Sequence, residues 1–146
     1  MGSGTQGKKI ARIIERYEDL ILAGNKPDLV IVAGDVNSTI ACVLVAKKLQ
    51  IPVAHLEAGL RSYDERMPEE INRVLTDKIS HILLTPTLDA NEKLVKKGIS
   101  PEIIHFVGNI MIDSVIEHKN NAELSYVFNQ LCIIQNEDYA LVTLHR

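Results

Sequence analysis

The chain has 146 residues, of which 46% are hydrophobic and 24% charged, a composition typical of a globular protein with one domain or part of a second. The net charge is −3, Trp is absent and aromatic residues make up 4%, which argues against nucleic acid as a partner. No apolar run approaches the roughly 20 residues that span a bilayer, and no signal peptide pattern is present. We therefore expect no membrane partner and a cytoplasmic location, with Cys42 and Cys132 as buried thiols.

A glycine-rich stretch opens the chain. Residues Gly2 to Gly7 fit the dinucleotide-binding fingerprint G-x-G-x-x-G, and apolar residues from Ile10 to Ile21 follow at helical spacing. The fingerprint requires a strand directly before it, and this sequence has none. We interpret the stretch as a loop that enters a helix, and the missing strand indicates that upstream sequence is absent.

Short apolar strands alternate with helical patterns along the rest of the chain. Strands are predicted over residues 28–33, 51–56, 82–85, 103–107 and 139–144. Helices are predicted from a cap at Asn37 or Ser38 to Lys48, from Pro68 to 79, over 89–97 with Gly98 closing the helix, and over 110–119 and 122–131. This alternation predicts an α/β fold with a doubly wound parallel sheet.

Carboxylates follow two of the predicted strands directly. Asp35 comes after the first strand and Glu57 after the second, with one helix between them. A βαβ unit makes the two strands parallel, so both side chains are expected at the same edge of the sheet. Pro68 begins the next helix, which sets Glu69 and Glu70 at the positive end of its dipole.

Several kinds of chemistry are disfavoured by spacing. His55 and Glu57 lie two apart on a strand, as metal ligands can, but no third ligand lies at a diagnostic spacing. The sequence has no G-x-S-x-G nucleophile motif and no P-loop. We therefore expect no metal site and no nucleophilic serine.

A cluster of carboxylates remains as the candidate for chemistry. Asp35, Glu57 and either Glu69 or Glu70 would share one cleft, with His145 converging on it. Crowded carboxylates raise at least one pKa, which suits a general acid or base. The alternative is a solvated loop and helix start, in which Glu69 pairs with Arg73.

Five motifs closely resemble those of the non-hydrolysing UDP-N-acetylglucosamine 2-epimerases. They are Val32–Asp35, His55–Arg61, Met67–Arg73, Gly108–Asn109 and Thr143–Arg146, in family order. The hydrolysing relatives have a Gly-Gly-Glu pattern where this chain has Glu57-Ala-Gly59, which favours the non-hydrolysing branch.

The resemblance implies two Rossmann-like lobes, as in B-type glycosyltransferases, usually in a homodimer and without nicotinamide or an obligatory metal. It implies inversion at C2 of the sugar by elimination and re-addition of UDP. It also implies roles for residues of this chain. Proton transfer falls to Asp35, Glu57 and Glu69, with base and acid undecided, while His145 faces the diphosphate. Substrate contacts fall to Gly34, His55, Arg61, Glu70 and Arg146.

The chain departs from the family pattern at both ends. It lacks the first strand with its Gly-Thr-Arg-Pro-Glu loop and nearly all of the second lobe, so residues 1–108 would form the first lobe and 109–146 begin the second. We expect the isolated chain to be inactive and, with its sheet incomplete, to self-associate. Alternatives are an epimerase of a UDP-2,3-diacetamido uronic acid and a non-catalytic fragment that binds nucleotide sugars or another subunit. A B-type glycosyltransferase is disfavoured by the carboxylates.

Overall fold

A four-stranded parallel sheet forms the centre of the chain. The computed structural model describes residues 4–24, 26–133 and 138–144. The chain divides into two units, Met1–Asn109 and Ile110–Arg146. The first unit contains the strands, which lie in the order of the sequence. They are β1 (Val30–Ala33), β2 (Val53–Leu56), β3 (Ile82–Thr85) and β4 (Ile104–Phe106). The predicted α/β fold and four of the five predicted strands are confirmed.

Helices precede and connect these strands. The first unit contains α1 (Gln6–Leu22), α2 (Asn37–Lys48), α3 (Pro68–Ile79) and α4 (Leu88–Lys96). Pro68 begins α3 as predicted. Its fixed φ suits a first helical turn, and the N–H that proline does not have would find no hydrogen-bond partner within the helix at that position. Thr87 caps α4 by accepting a hydrogen bond from the Ala90 N–H at 3.2 Å. Gly98 ends the same helix with φ +77°, a left-handed conformation that glycine adopts at little cost.

The hydrophobic core lies between the helices and one face of the sheet. Val32, His55, Leu83 and Ile104 are aligned across the four strands and so point to the same face. Val32 belongs to a buried cluster with residues of α1 and α2, whereas Leu83 packs with Leu94 of α4 in a second cluster. On the opposite face Ile31 of β1 remains 62% exposed.

The second unit differs from the sequence-based prediction. Its helices are α5 (Ile110–Glu123) and α6 (Val127–Gln130), so the break lies near residue 125 and not near 120. The strand predicted over 139–144 is wrong, since residues 138–144 have no regular structure. An apolar run needs a neighbouring strand before it forms a ladder, and Leu144 is 91% exposed.

Two smaller predictions also need correction. The N-cap of α2 is Val36, and its side chain makes no capping hydrogen bond. The Asn37 side chain instead donates to Gln6 and accepts from Asn72. Cys42 is half-buried, but Cys132 is exposed and not buried. Within the described ranges, no helix is long and apolar enough to cross a membrane.

Candidate active site

Asp35 and Glu57 meet at the carboxyl edge of the sheet. Ala33 and Leu56, the last residues of β1 and β2, lie opposite each other in the parallel ladder. The Gly34 N–H extends this ladder by donating to the Leu56 carbonyl at 3.2 Å. A Cβ placed on Gly34 would lie 3.7 Å from Glu57 Oε2, so the Glu57 carboxylate lies beside the turn that carries Asp35. The predicted convergence of the two strand ends is confirmed.

Glu57 has an unusual backbone conformation and a carboxylate without a partner among the described residues. Its φ is +69°, in the left-handed region that costs a non-glycine residue about 1–2 kcal/mol. The residue is half-buried, and among the described residues its carboxylate has no hydrogen bond or ion pair. Strained residues of this kind cluster at functional sites. Glu57 is therefore the carboxylate of the cluster that the described residues leave available to a ligand.

Asp35 is held by the third helix. Its carboxylate forms an ion pair with Arg73, and its backbone carbonyl accepts from Asn72 Nδ2 at 2.9 Å. Asp35 and Arg73 side chains are only 23% and 16% exposed, so water screens this pair weakly. Arg73, for which the sequence suggested Glu69 as the partner, contacts Asp35 and Glu70. The position of the candidate catalytic aspartate is thus set by α3.

Glu70 is a structural anion at the start of α3. It is 5% exposed, and its Oε2 accepts from the Ser62 N–H at 2.9 Å, the Ser62 hydroxyl at 3.1 Å and Arg73 at 3.2 Å. Burial alone would raise the pKa of Glu70, but the Ser62 hydrogen bonds and the charges of Arg73 and Arg61 outweigh it and lower the pKa. The pKa of Glu70 is therefore lowered, whereas crowding by other carboxylates was expected to raise it. Glu69, the preceding residue, is half-buried in the same turn.

A buried polar network lies behind the strand ends. His55 is fully buried; its Nδ1 lies 2.6 Å from Asp77 Oδ1 and its Nε2 lies 2.9 Å from the Gly34 carbonyl oxygen. The other Asp77 oxygen accepts from Arg61 at 2.6 Å and from the Gly59 N–H at 3.2 Å. Asp77 is 1% exposed, and three donors compensate for its lost hydration. The network ties α3 and two loops together.

The remaining predictions concern the end of the chain, the loop before α3 and a metal site. His145 and Arg146 lie outside the described residues. The loop between Arg61 and α3 is partly solvated, as the alternative interpretation expected, since Arg66 is 91% exposed in its ion pair with Asp64. The Arg66 hydrogen bonds lower the pKa of Asp64. Across the ranges that the structure describes, no group of His, Cys, Asp and Glu could hold a metal ion.

The sequence did not identify Asp77, Asn72 or Ser62 as members of the site. Asp77 carried one signal, because a carboxylate in the last turn of a helix faces the negative end of the dipole and so needs cationic partners. Asn72 and Ser62 carried no such signal, since amides and hydroxyls are common on solvated surfaces. Their roles depend on contacts between distant segments.

A basic cavity adjoins the turn that carries Asp35. Its volume is about 400 Å³, and it lies between α1 and the first turn of α2. Three cations of α1 line one side, and the uncapped amino end of α2 forms the other. The lining residues are Lys9, Arg12, Ile13, Arg16, Val36, Asn37 and Ser38. Cations and a helix N-terminus together favour an anionic ligand.

The sequence matches a family model described as UDP-N-acetylglucosamine 2-epimerase over residues 1–146. The UDP-N-acetylglucosamine 2-epimerase of Methanococcus maripaludis is 46% identical over 151 residues, covering 100% of this chain and 40% of the relative. The UDP-2,3-diacetamido-2,3-dideoxy-D-glucuronate 2-epimerase of Pseudomonas aeruginosa is 42% identical over 145 residues, covering 98% and 39%.

The structural comparison agrees with the sequence comparison. The crystal structure of Methanocaldococcus jannaschii UDP-GlcNAc 2-epimerase in complex with UDP-GlcNAc and UDP superposes with a TM-score of 0.83 at 45% identity, over 89% of this chain and 36% of that one. The chain thus spans 40% of the length of the M. maripaludis relative. Since the family model covers the chain from end to end, the chain belongs to the UDP-N-acetylglucosamine 2-epimerase family.

Proposed function

We propose that this chain supplies the proton-transfer carboxylates of a UDP-N-acetylglucosamine 2-epimerase. The observation that carries the proposal is the convergence of Asp35 and Glu57 at the ends of two neighbouring strands. The basic cavity beside Asp35 suits a ligand that carries a diphosphate. A family member crystallised with UDP-GlcNAc and UDP supports this substrate.

The proposed reaction inverts C2 of the sugar in two stages. A carboxylate takes the C2 proton while the C1–O bond breaks and its electron pair leaves with UDP, which gives 2-acetamidoglucal. UDP then adds back to C1 while C2 receives a proton on the opposite face. Two proton transfers on opposite faces need two carboxylates in different surroundings. Asp35 and Glu57 differ in this way, because Asp35 pairs with Arg73 and Glu57 has no partner in the part of the chain that the structure describes. Glu69 is the third candidate, and the diphosphate role of His145 remains part of the proposal.

The test uses a chimera in which this chain replaces the matching 40% of the M. maripaludis relative. The chimera should interconvert UDP-N-acetylglucosamine and UDP-N-acetylmannosamine. Single variants Asp35→Asn, Glu57→Gln and Glu69→Gln should each lower kcat by about 10²–10⁴-fold, the usual contribution of a general acid or base. Product formation is followed by chromatography of the two UDP-sugars.

The exposed Glu102 provides the matched control, since Glu102→Gln makes the same chemical change away from the strand ends. This control should keep the kcat of the chimera. A chimera that folds and binds UDP but forms no epimer would contradict the proposal. Full activity in the Asp35 and Glu57 variants would contradict the assignment of these residues.

We also infer a homo-oligomeric, cytoplasmic enzyme that makes precursors of surface polysaccharides. β1 lies at an edge of the sheet and leaves Ile31 exposed, which supports self-association, because an open strand edge can pair with another chain. The two free cysteines are consistent with a reducing compartment. Sedimentation at low concentration should give a species larger than one chain, and a clean monomer would contradict the inferred homo-oligomer.

A further inference from the structure

His55 lies between two hydrogen-bond acceptors. Its Nδ1 is 2.6 Å from a carboxylate oxygen of Asp77, and its Nε2 is 2.9 Å from the carbonyl oxygen of Gly34. A carbonyl oxygen only accepts, and an ionised carboxylate only accepts as well. Both ring nitrogens can therefore form hydrogen bonds at the same time only if each carries a hydrogen. The geometry is that of an imidazolium.

The other arrangements of protons each leave a bad contact. A neutral ring with its hydrogen on Nδ1 turns a bare Nε2 towards the Gly34 oxygen at hydrogen-bond distance. The remaining option moves the proton to the Asp77 carboxyl. That option is disfavoured because the second Asp77 oxygen accepts from Arg61 and from the Gly59 N–H, and hydrogen bonds of this kind favour the ionised carboxylate.

The surrounding charges also favour a cation at this position. On the neighbouring strands His55 is flanked by the apolar side chains of Val32 and Leu83. The charged groups that the structure places at this site are Asp77 from α3, whose carboxylate lies 2.6 Å from the ring, and Arg61, which binds the other oxygen of that carboxylate. The hydrogen bond from an imidazolium to the ionised Asp77 carboxylate is charge-assisted, which helps to offset the cost of burying both groups.

We infer that His55 is a buried imidazolium that acts as a positioning residue, holding the Gly34 carbonyl and through it the turn that carries Asp35. Gly34 has φ +65° and directly precedes the aspartate, so a rigid bond to its carbonyl restricts where the carboxylate can lie. Asp77 is the anion that keeps the ring charged. His55 is fully buried, which separates this role from direct contact with substrate. Only the kinetic part of the inference rests on the proposed function.

The charge state is tested by NMR of the chain with nitrogen-15 in its histidines. At mildly alkaline pH both His55 ring nitrogens should show attached hydrogens, because each faces a hydrogen-bond acceptor. His81 is the internal reference for a ring nitrogen without a hydrogen, because its Nδ1 accepts a hydrogen bond from the Val53 N–H. Burial and the nearby Lys47 lower the pKa of His81, which keeps its ring neutral. A His55 nitrogen without hydrogen would overturn the inference.

The positioning role is tested with two neutral amides of different length. The Gln amide of His55→Gln reaches as far as Nε2 and can still donate to the Gly34 carbonyl, whereas the Asn amide of His55→Asn reaches only as far as Nδ1. The backbone amide signals of Gly34 and Asp35 should therefore shift more in the Asn variant than in the Gln variant. Equal shifts in both would contradict positioning through Gly34, whether or not the chain has activity.

Kinetics in the chimera add a readout that a structural role alone would not give. His55→Asn should lower kcat about tenfold or more relative to His55→Gln, since a small misplacement of a reacting group costs up to about 10²-fold. The KM for the UDP-sugar should stay within about twofold in both variants. A matched change at the exposed His105, His105→Gln, should alter neither constant. A rise in KM with kcat preserved would assign His55 to substrate binding and overturn the inference.

Discussion

The loop that follows β2 passes so close to α4 that only glycine fits at residue 59. A Cβ on Gly59 would lie 2.8 Å from the carbonyl oxygen of Ala90 and 2.9 Å from its Cβ, and Gly59 has φ +82°. The Gly59→Ala variant should therefore suffer backbone strain of about 1–2 kcal/mol and overpacking of about 1–3 kcal/mol. The expected loss in free energy of unfolding is about 2–5 kcal/mol, a large part of the roughly 5–15 kcal/mol that holds a domain folded.

A matched glycine separates the two effects. Gly98 has φ +77°, but a Cβ there would meet nothing within 4 Å, so Gly98→Ala should cost only the strain of about 1–2 kcal/mol. Urea unfolding followed by circular dichroism measures both variants at constant m-value. If Gly59→Ala is no more destabilising than Gly98→Ala, the close packing of this loop on α4 is refuted.

Three further outcomes follow from the contacts of α3. Asp77→Asn should destabilise the chain by about 3–5 kcal/mol, because it breaks a buried ion pair. Asp89→Asn, at an exposed pair with Lys93, should destabilise the chain far less, because surface ion pairs contribute little; urea unfolding again measures both. Glu70 has a folded-state pKa below its ordinary value of 4.5, so its contribution to stability is present above about that pH and lost as the pH falls through the lowered pKa. The stability gap between the chain and Glu70→Gln should narrow in this acidic window, and a constant gap would contradict the shift. Arg73→Met in the chimera should lower kcat by about tenfold or more by releasing Asp35, and an unchanged kcat would show that the ion pair does not position it.

The fold could be predicted largely because local patterns and global topology agree. The continuous apolar strands after Pro27 and Gln50 predicted a buried parallel sheet, and the βαβ spacing brought Asp35 and Glu57 to one edge. The terminal strand was wrong because an apolar run over 139–144 reports burial propensity and not the presence of a partner strand. An apolar pattern predicts which face of a strand is buried, but it does not predict which strand pairs with it.

The sequence predicted the carboxylates of the candidate site but not the residues that hold them in place. Asp35 and Glu57 follow strands and so could be placed from the sequence. Their surroundings depend on α3, whose Arg73 and Asp77 reach residues 38 and 22 positions away. Such pairings depend on how a helix packs on the sheet, which periodicity does not fix. His55 was assigned to substrate by resemblance, and its burial favours the positioning role.

Deuterium exchange at C2 tests whether the strand-end carboxylates move the C2 proton of a UDP-sugar. The most direct measurement is proton NMR of UDP-N-acetylglucosamine incubated in D₂O with the chimera and with its Asp35→Asn and Glu57→Gln variants. The unmodified chimera should replace the C2 proton with deuterium while the epimer forms, and both variants should lose this exchange by about 10²-fold or more. Epimer formation without deuterium at C2, or full exchange in both variants, would show that these carboxylates do not transfer the proton.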